Sequence, residues 1–133
     1  MPASIVIVIP TKDRPSFVRA CVQAACAGLP ANGQIIVVDD HGALPAAKSI
    51  ADIRDPRIKV VVNTGQRGPS AARNFGVSHA TGDLILFVDD DDLLKDGYAD
   101  YVSDLANTAR YGFCATQSFK SEPANLPKFQ PQT

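Results

Sequence analysis

Leu84-Ile85-Leu86-Phe87-Val88-Asp89-Asp90-Asp91-Asp92, residues 84–92, passes from five apolar residues to four aspartates without an intervening turn signal. An unbroken apolar run, as opposed to an alternating one, indicates a strand buried on both faces of a mostly parallel sheet. Aspartates directly after it fall at the carboxyl end of the strand, where open α/β sheets bind their ligands. The pattern recurs upstream: Ser4 to Ile9 leads into Pro10-Thr11-Lys12-Asp13, and Gln34 to Val38 into Asp39-Asp40, while Ile58 to Val62 is a fourth apolar run. Parallel pairing gathers these polar ends at one edge and places Asp40 and Asp89 in one pocket despite their distance in sequence.

The segments between the runs read as helices. Pro15 to Ala27 sets Phe17, Val18, Cys21, Val22 and Ala25 on one helical face, with Asp13 and Pro15 marking its start and Gly28 its end. A second helix is expected over Leu44 to Ile53, stopped before Asp55-Pro56 because the residue preceding proline disfavours the helical region. A third is expected from Ser70, as cap, to Ala80, with Gly82 as stop signal. Strand and helix thus alternate as in a doubly wound sheet with right-handed crossovers. Beyond the aspartates a helix from Gly97 to Ala109, a strand from Phe113 to Ser118 and a Pro-rich tail from Glu122 are expected.

Composition narrows the function classes. The 133 residues are 45% hydrophobic and 20% charged, as in one ordinary globular domain. A net charge of -1 provides no general field for nucleic acid or an anionic membrane. The three cysteines, Cys21, Cys26 and Cys114, have no C-x-x-C spacing and read as buried inert thiols of a reduced, cytoplasmic chain. Ile5 to Ile9 is far too short to cross a bilayer.

Two segments carry chemistry. Four adjacent aspartates repel by about 1 kcal/mol per pair at 4 Å even in water, and more where water is scarce. A hard cation such as Mg²⁺ or Mn²⁺ relieves that repulsion and is normally held by one or two carboxylates plus substrate phosphates; a solvated acidic turn before a helix is the alternative. Gly65 to Asn74 sets two glycines before a helix whose first turns carry Arg73, offering N–H groups and a guanidinium to an anion.

The blocks IVIVIPTKDRP (5–15), QIIVVDD (34–40), DPRIKVV (55–61), GPSAARNFGVSHATGD (68–83) and LILFVDDDDLL (84–94) together resemble the N-terminal region of family 2 glycosyltransferases of the GT-A fold. The resemblance implies a Rossmann-like three-layer αβα architecture with a mostly parallel sheet, truncated after the donor-binding half. It further implies a nucleoside-diphosphate sugar as donor, with UDP sugars favoured, a Mg²⁺ or Mn²⁺ cofactor, and inverting transfer to a glycan, lipid or protein acceptor. By position, Pro10 and Thr11 resemble the loop that touches the nucleotide, and Asp13 stands where many relatives have Asn. Asp40 resembles the carboxylate that accepts from the base, and Arg73 the arginine that helps hold the nucleotide. Asp89 and Asp91 match the two acidic positions of DxD, the first reaching ribose or a metal-bound water and the second ligating the metal, with Asp90 at the variable position.

Two departures stand out. His41-Gly42-Ala43-Leu44-Pro45 replaces the small polar residues that follow the second strand in many relatives; His41 reads as a loop residue and His79 as structural. The carboxylates after the cluster, Asp96, Asp100, Asp104 and Glu122, do not sit in the context of the family's catalytic base. Residues 1–121 therefore read as a nucleotide-sugar-binding half-domain and 122–133 as a tail or the start of an acceptor half, with the base outside this chain. Apolar surface near Phe113 and Phe119 would then favour self-association, and the parent protein could lie at the membrane periphery. The competing reading is a catalytically silent nucleoside-diphosphate-binding module. A phosphoacceptor receiver domain needs acidic residues where this chain has Pro10-Thr11, and a sugar nucleotidyltransferase needs glycines that its first loop lacks.

Overall fold

The computed structural model describes residues 4–106. Strands β1 (Ile5–Thr11), β2 (Gln34–Asp39), β3 (Ile58–Val62) and β4 (Leu84–Phe87) alternate with helices α1 (Pro15–Gly28), α2 (Ala46–Ser49), α3 (Pro69–Ser78) and α4 (Tyr98–Ala106). The strands form one sheet of order β3-β2-β1-β4, parallel throughout. Its register sets Thr11 beside Asp39, and Asp39 beside Val62. Two compact units divide the chain, Met1–Ala99 and Asp100–Thr133, and the sheet lies in the first.

Side-chain alternation gives each face of the sheet its own layer. Val6, Val8, Ile36, Val38 and Val61 cluster with Ala72 of α3, and Phe75 and Ala80 pack against them. Ile5, Ile7 and Ile9 point to the opposite face, which α1 covers with Val18, Cys21, Val22 and Ala25. The core residues of β1 and β2 are almost wholly buried, each contributing roughly 1.5–3 kcal/mol of transfer free energy. Helix α3 comes close to the sheet at Gly76: a Cβ there would stand 2.5 Å from Val8 Cγ1 and 2.9 Å from Val38 Cγ2.

The outer strands differ from expectation. β3 and β4 are only partly covered, exposing Lys59, Val62, Ile85 and Phe87, because α3 lies across β1 and β2. Their runs are continuous in sequence, yet among the described residues only the two central strands are buried on both sides.

Helix boundaries hold further corrections. Pro15 occupies the first turn of α1 as expected, but Asp13 does not cap it; Arg14 is the N-cap residue and makes no side-chain cap bond. Asp13 adopts φ 53° and its Oδ1 accepts from Leu44 N at 2.8 Å. Phe17 is 52% exposed instead of facing the core, and the Arg14 guanidinium lies 4.5 Å above its ring. The second helix shrinks to the single turn of α2. Ala46 and Ile50, four residues apart, are both buried, so one turn seats the segment, and the chain then turns back toward β3 with Asp52 paired to Arg19 of α1. The third helix starts at Pro69, with Gly68 as N-cap, so Ser70 is inside it and caps nothing. Gly82 acts by close approach, since a Cβ there would meet Val6 Cγ2 at 2.6 Å.

Arg57 fastens the end of α1, donating to Cys26 O at 2.8 Å and Leu29 O at 2.5 Å while pairing with Asp55 at 2.6 Å. That pairing holds the Asp55 carboxyl well below the usual carboxylate range. Burial pushes the Cys21 thiol up to about 12, with aspartates 89–92 adding to the shift, and the Cys26 thiol up to about 11; both resist ionisation at neutral pH. The expected continuation of the fourth helix to Ala109, the strand at 113–118, the tail from 122, Cys114, Phe113 and Phe119 lie outside the described residues. Among the described residues no helix is long and apolar enough to cross a membrane.

Candidate functional site

Hydrogen bonding continues past the strand ends and draws their loops together: Asp40 N donates to Thr11 O at 2.9 Å, Asn63 N to Asp39 O at 2.9 Å, and Val88 N to Val8 O at 3.1 Å. Over this edge opens a cavity of about 340 Å³ lined by Pro10, Thr11, Lys12, Arg14, Asp40, Pro69, Arg73, Asp89, Asp90 and Asp91. Three cations face four anions there, leaving a surplus negative charge even before Asp92 is added.

At the β2 end the two aspartates divide their work. Asp39 closes its own loop, accepting from Gly42 N at 3.0 Å and Ala46 N at 2.9 Å. Asp40, also buried, accepts from Asn63 Nδ2 and from Gly68 N, both at 3.0 Å. Asn63 is 2% exposed; it donates also to Gln66 O at 2.8 Å and accepts from Gly65 N at 3.0 Å. The loop before α3 is therefore shaped around the Asp40 carboxylate, with Gly68 at φ 114°, a region that favours glycine. The Gly65 and Gly68 N–H groups expected to be open to an anion are already bonded within the protein. Each Asp40 oxygen still has a lone pair for a further donor. His41, at φ 61°, joins the same loop through Nε2 and Gly65 O, 2.9 Å apart. His79 caps the C-terminal end of α3, its Nδ1 3.0 Å from Phe75 O.

The four aspartates separate by direction. Asp90 turns inward, 6% exposed, accepting from Thr11 Oγ1 at 2.8 Å and from Arg14 Nη1 at 3.0 Å. Burial raises its pKa, opposed by Thr11 and Arg14. Asp89, Asp91 and Asp92 are exposed and bring carboxylate oxygens within 4.8 Å of one another. Loss of water, followed by repulsion from Asp91, Asp89 and Asp90, raises the pKa of Asp92. An all-oxygen set with open space around it fits a hard divalent cation such as Mg²⁺ or Mn²⁺. Arginines approach from two sides: Arg73 Nη2 donates to Asp89 Oδ1 at 3.0 Å, and Arg14 Nη2 lies 3.6 Å from Asp91 Oδ2.

Of the residues singled out in the sequence, Pro10, Thr11, Asp40, Arg73, Asp89 and Asp91 line the one cavity, and Asp13 is not among its lining residues. Sequence reasoning did not assign Asn63 or Arg14 to the site, and took Asp92 only as part of the four-aspartate cluster, not as one of its two DxD positions. Asn63 had a visible signal, since it directly follows the third apolar run as Asp39 and Asp89 follow theirs. Arg14 had none, because only the fold brings the start of α1 up to the aspartates.

A parallel α/β sheet with carboxylates, arginines and an open cleft at its carboxyl edge is the arrangement of the GT-A fold. Residues 6–132 match the family described as Glycosyl transferase family 2, and the chain belongs to that family. It is 35% identical over 80 residues to the succinoglycan biosynthesis protein ExoO of Rhizobium meliloti, spanning 60% of this chain and 23% of that one. It is 28% identical over 87 residues to the UDP-Glc:alpha-D-GlcNAc-diphosphoundecaprenol beta-1,3-glucosyltransferase WfgD of Escherichia coli, spanning 65% and 34% respectively. In fold it is similar to the mannosyltransferase PcManGT of Pyrobaculum calidifontis, solved with GDP-Man and Mn²⁺, at TM-score 0.71 and 22% identity over 81% of this chain and 34% of that one. Residues 1–349 of S. aureus TarS, solved with UDP-GlcNAc, give TM-score 0.70 and 21% identity over 78% and 31%. The chain thus spans between about a quarter and a third of these relatives.

Proposed function

We propose that this chain forms the donor side of an inverting glycosyltransferase that takes a nucleoside-diphosphate sugar together with Mg²⁺ or Mn²⁺. The observation that carries this reading is the convergence of Asp40, Arg73 and the Asp89, Asp91 and Asp92 carboxylates around one cleft. Asp40 accepts from the base, Pro10 and Thr11 flank the nucleoside, and Arg73 approaches the diphosphate. Asp89 and Asp91, joined by Asp92, hold the cation. When bound, the cation would offset the charge that grows on the departing diphosphate.

An ionised carboxylate only accepts hydrogen bonds, so Asp40 suits the imino N–H of uracil or guanine. UDP sugars are favoured, in line with the UDP-Glc named for WfgD and the UDP-GlcNAc bound to TarS; the GDP-Man of PcManGT marks guanine as the other base to test. The acceptor is a glycan, lipid or protein hydroxyl, and the reaction is placed in the cytoplasm or at the membrane periphery. Calorimetric titration with UDP and GDP, with Mn²⁺ or with chelator, tests the reading. Binding is expected to need the cation, and Asp91→Asn to remove most of that dependence. Equal affinity with Mn²⁺ and with chelator would overturn the assignment.

A further inference from the structure

We propose that Arg14 and Arg73 are exchangeable counter-charges of the acidic cluster, which makes the divalent cation and the nucleoside diphosphate bind as a pair and only weakly one at a time. This rests on the donor-site reading above.

The two arginines hold the carboxylates that the cation needs. Arg73 Nη2 is 3.0 Å from Asp89 Oδ1, and the Arg14 fork spans Asp90 at 3.0 Å and Asp91 at 3.6 Å. The two arms of Arg14 are unequal. Its Nη1 meets a buried carboxylate that Thr11 also holds, whereas Nη2 meets an exposed one at longer range. The Phe17 ring beneath the guanidinium keeps Arg14 in place when the outer arm lets go. Exposed ion pairs of this kind contribute little net stability, so the Asp91 and Asp89 contacts can be given up at small cost.

A cation alone is opposed by this arrangement. It must take Asp89 and Asp91 from their arginines and then stand beside two guanidinium charges without an anion to face them. A nucleoside diphosphate alone meets the surplus negative charge of the cleft. Together each removes the other's obstacle, because both arginines already line the cavity and can turn to the phosphates. Such coupling is reciprocal: the factor by which the diphosphate tightens the cation equals the factor by which the cation tightens the diphosphate.

Electron paramagnetic resonance of free Mn²⁺, titrated into the full chain with and without UDP or GDP, reads both affinities. Arg14→Gln keeps a donor for Asp90 and removes the charge. Without nucleotide it is expected to bind Mn²⁺ roughly three- to tenfold more tightly than the parent, and the tightening by nucleotide should shrink by a similar factor. Arg14→Lys keeps the charge and should behave like the parent, a rescue that a purely architectural role for Arg14 would not give. Arg73→Gln should shift Mn²⁺ affinity in the same direction through Asp89, and it carries the test if Arg14→Gln fails to fold. A folded Arg14→Gln that binds Mn²⁺ alone no more tightly than the parent overturns the inference, and nucleotide-dependent Mn²⁺ binding by the parent would then leave the donor reading intact. A parent that binds Mn²⁺ neither with nor without nucleotide overturns both.

Discussion

Among the described residues Asp92 is the one exposed carboxylate of the cluster without an arginine within ion-pair distance. Its raised pKa, like that of Asp90, opposes folding once the group ionises. A carboxyl whose pKa is higher in the folded than in the unfolded state contributes least above its folded value, so stability falls as pH rises from the ordinary value of about 4 through that raised value. Without metal, Asp92→Asn is therefore expected to raise the thermal midpoint at neutral pH and flatten this part of the pH profile, while weakening Mn²⁺ binding. Unfolding scans across the acid range, with and without Mn²⁺, check both. Asp40 carries the opposite burden, since it supports the loop as well as facing the cleft. Asp40→Ala should reduce nucleotide affinity by about 1–3 kcal/mol and also lower stability by roughly 1–2 kcal/mol, because Gly68 N–H and Asn63 Nδ2 each lose an acceptor. Binding and denaturant titrations of one protein preparation separate the two effects. Asp40, Arg73, Asp89 and Asp91 were legible in the sequence because each belongs to a block of the family pattern. The inward turn of Asp90 was not, since four identical side chains give no sign of which one faces Thr11.

Gly76 shows how one element is fitted to another. Alanine there gains about 1 kcal/mol of helix propensity, yet its methyl would stand 2.5 Å from Val8 and 2.9 Å from Val38. Overpacking of this sort costs about 1–3 kcal/mol, so Gly76→Ala is expected to destabilise on balance. Combined with Val8→Ala it should cost less than the sum of the two single changes, which a double-mutant cycle by chemical denaturation measures. Arg57→Ala should likewise lower stability by about 1–3 kcal/mol, by leaving the Cys26 and Leu29 carbonyls at the end of α1 without their charged donor. Because the pKa of Asp55 is lowered by Arg57, the stabilisation from this pair is present above the usual carboxylate value and lost as pH falls below it. The same scale shows where sequence reading stops. Apolar runs located all four strands, but the run at Leu84–Phe87 looks as buried as the one at Ile5–Ile9. Only the order β3-β2-β1-β4 reveals which strands lie outermost among the described residues. Likewise the helical period over Leu44 to Ile53 is real, yet Ala46 and Ile50 satisfy the core within one turn and the rest need not be helical.

At the scale of the molecule, binding and turnover make different demands. In-line displacement at an anomeric carbon needs an acceptor hydroxyl held in place and a base within hydrogen-bond reach of it. Each carboxylate lining the cleft already has a partner: Asp40 with Asn63 and Gly68, Asp89 with Arg73, Asp90 with Thr11 and Arg14, and Asp91 with Arg14. Asp89 and Asp91, with Asp92, are also the groups proposed to hold the cation, so under that proposal none of this set is left to take the acceptor's proton. The relatives discussed above are about three to more than four times as long as the stretch they share with this chain. The 133-residue polypeptide is accordingly expected to bind UDP or GDP with Mn²⁺ and to release sugar to water slowly at most. Mixing it with a radiolabelled nucleotide sugar and a panel of glycan, lipid and peptide acceptors should give retained donor but no transferred label. Transfer at ordinary enzyme rates that disappears in Asp91→Asn would place the base within this sequence and overturn the division of donor binding from catalysis.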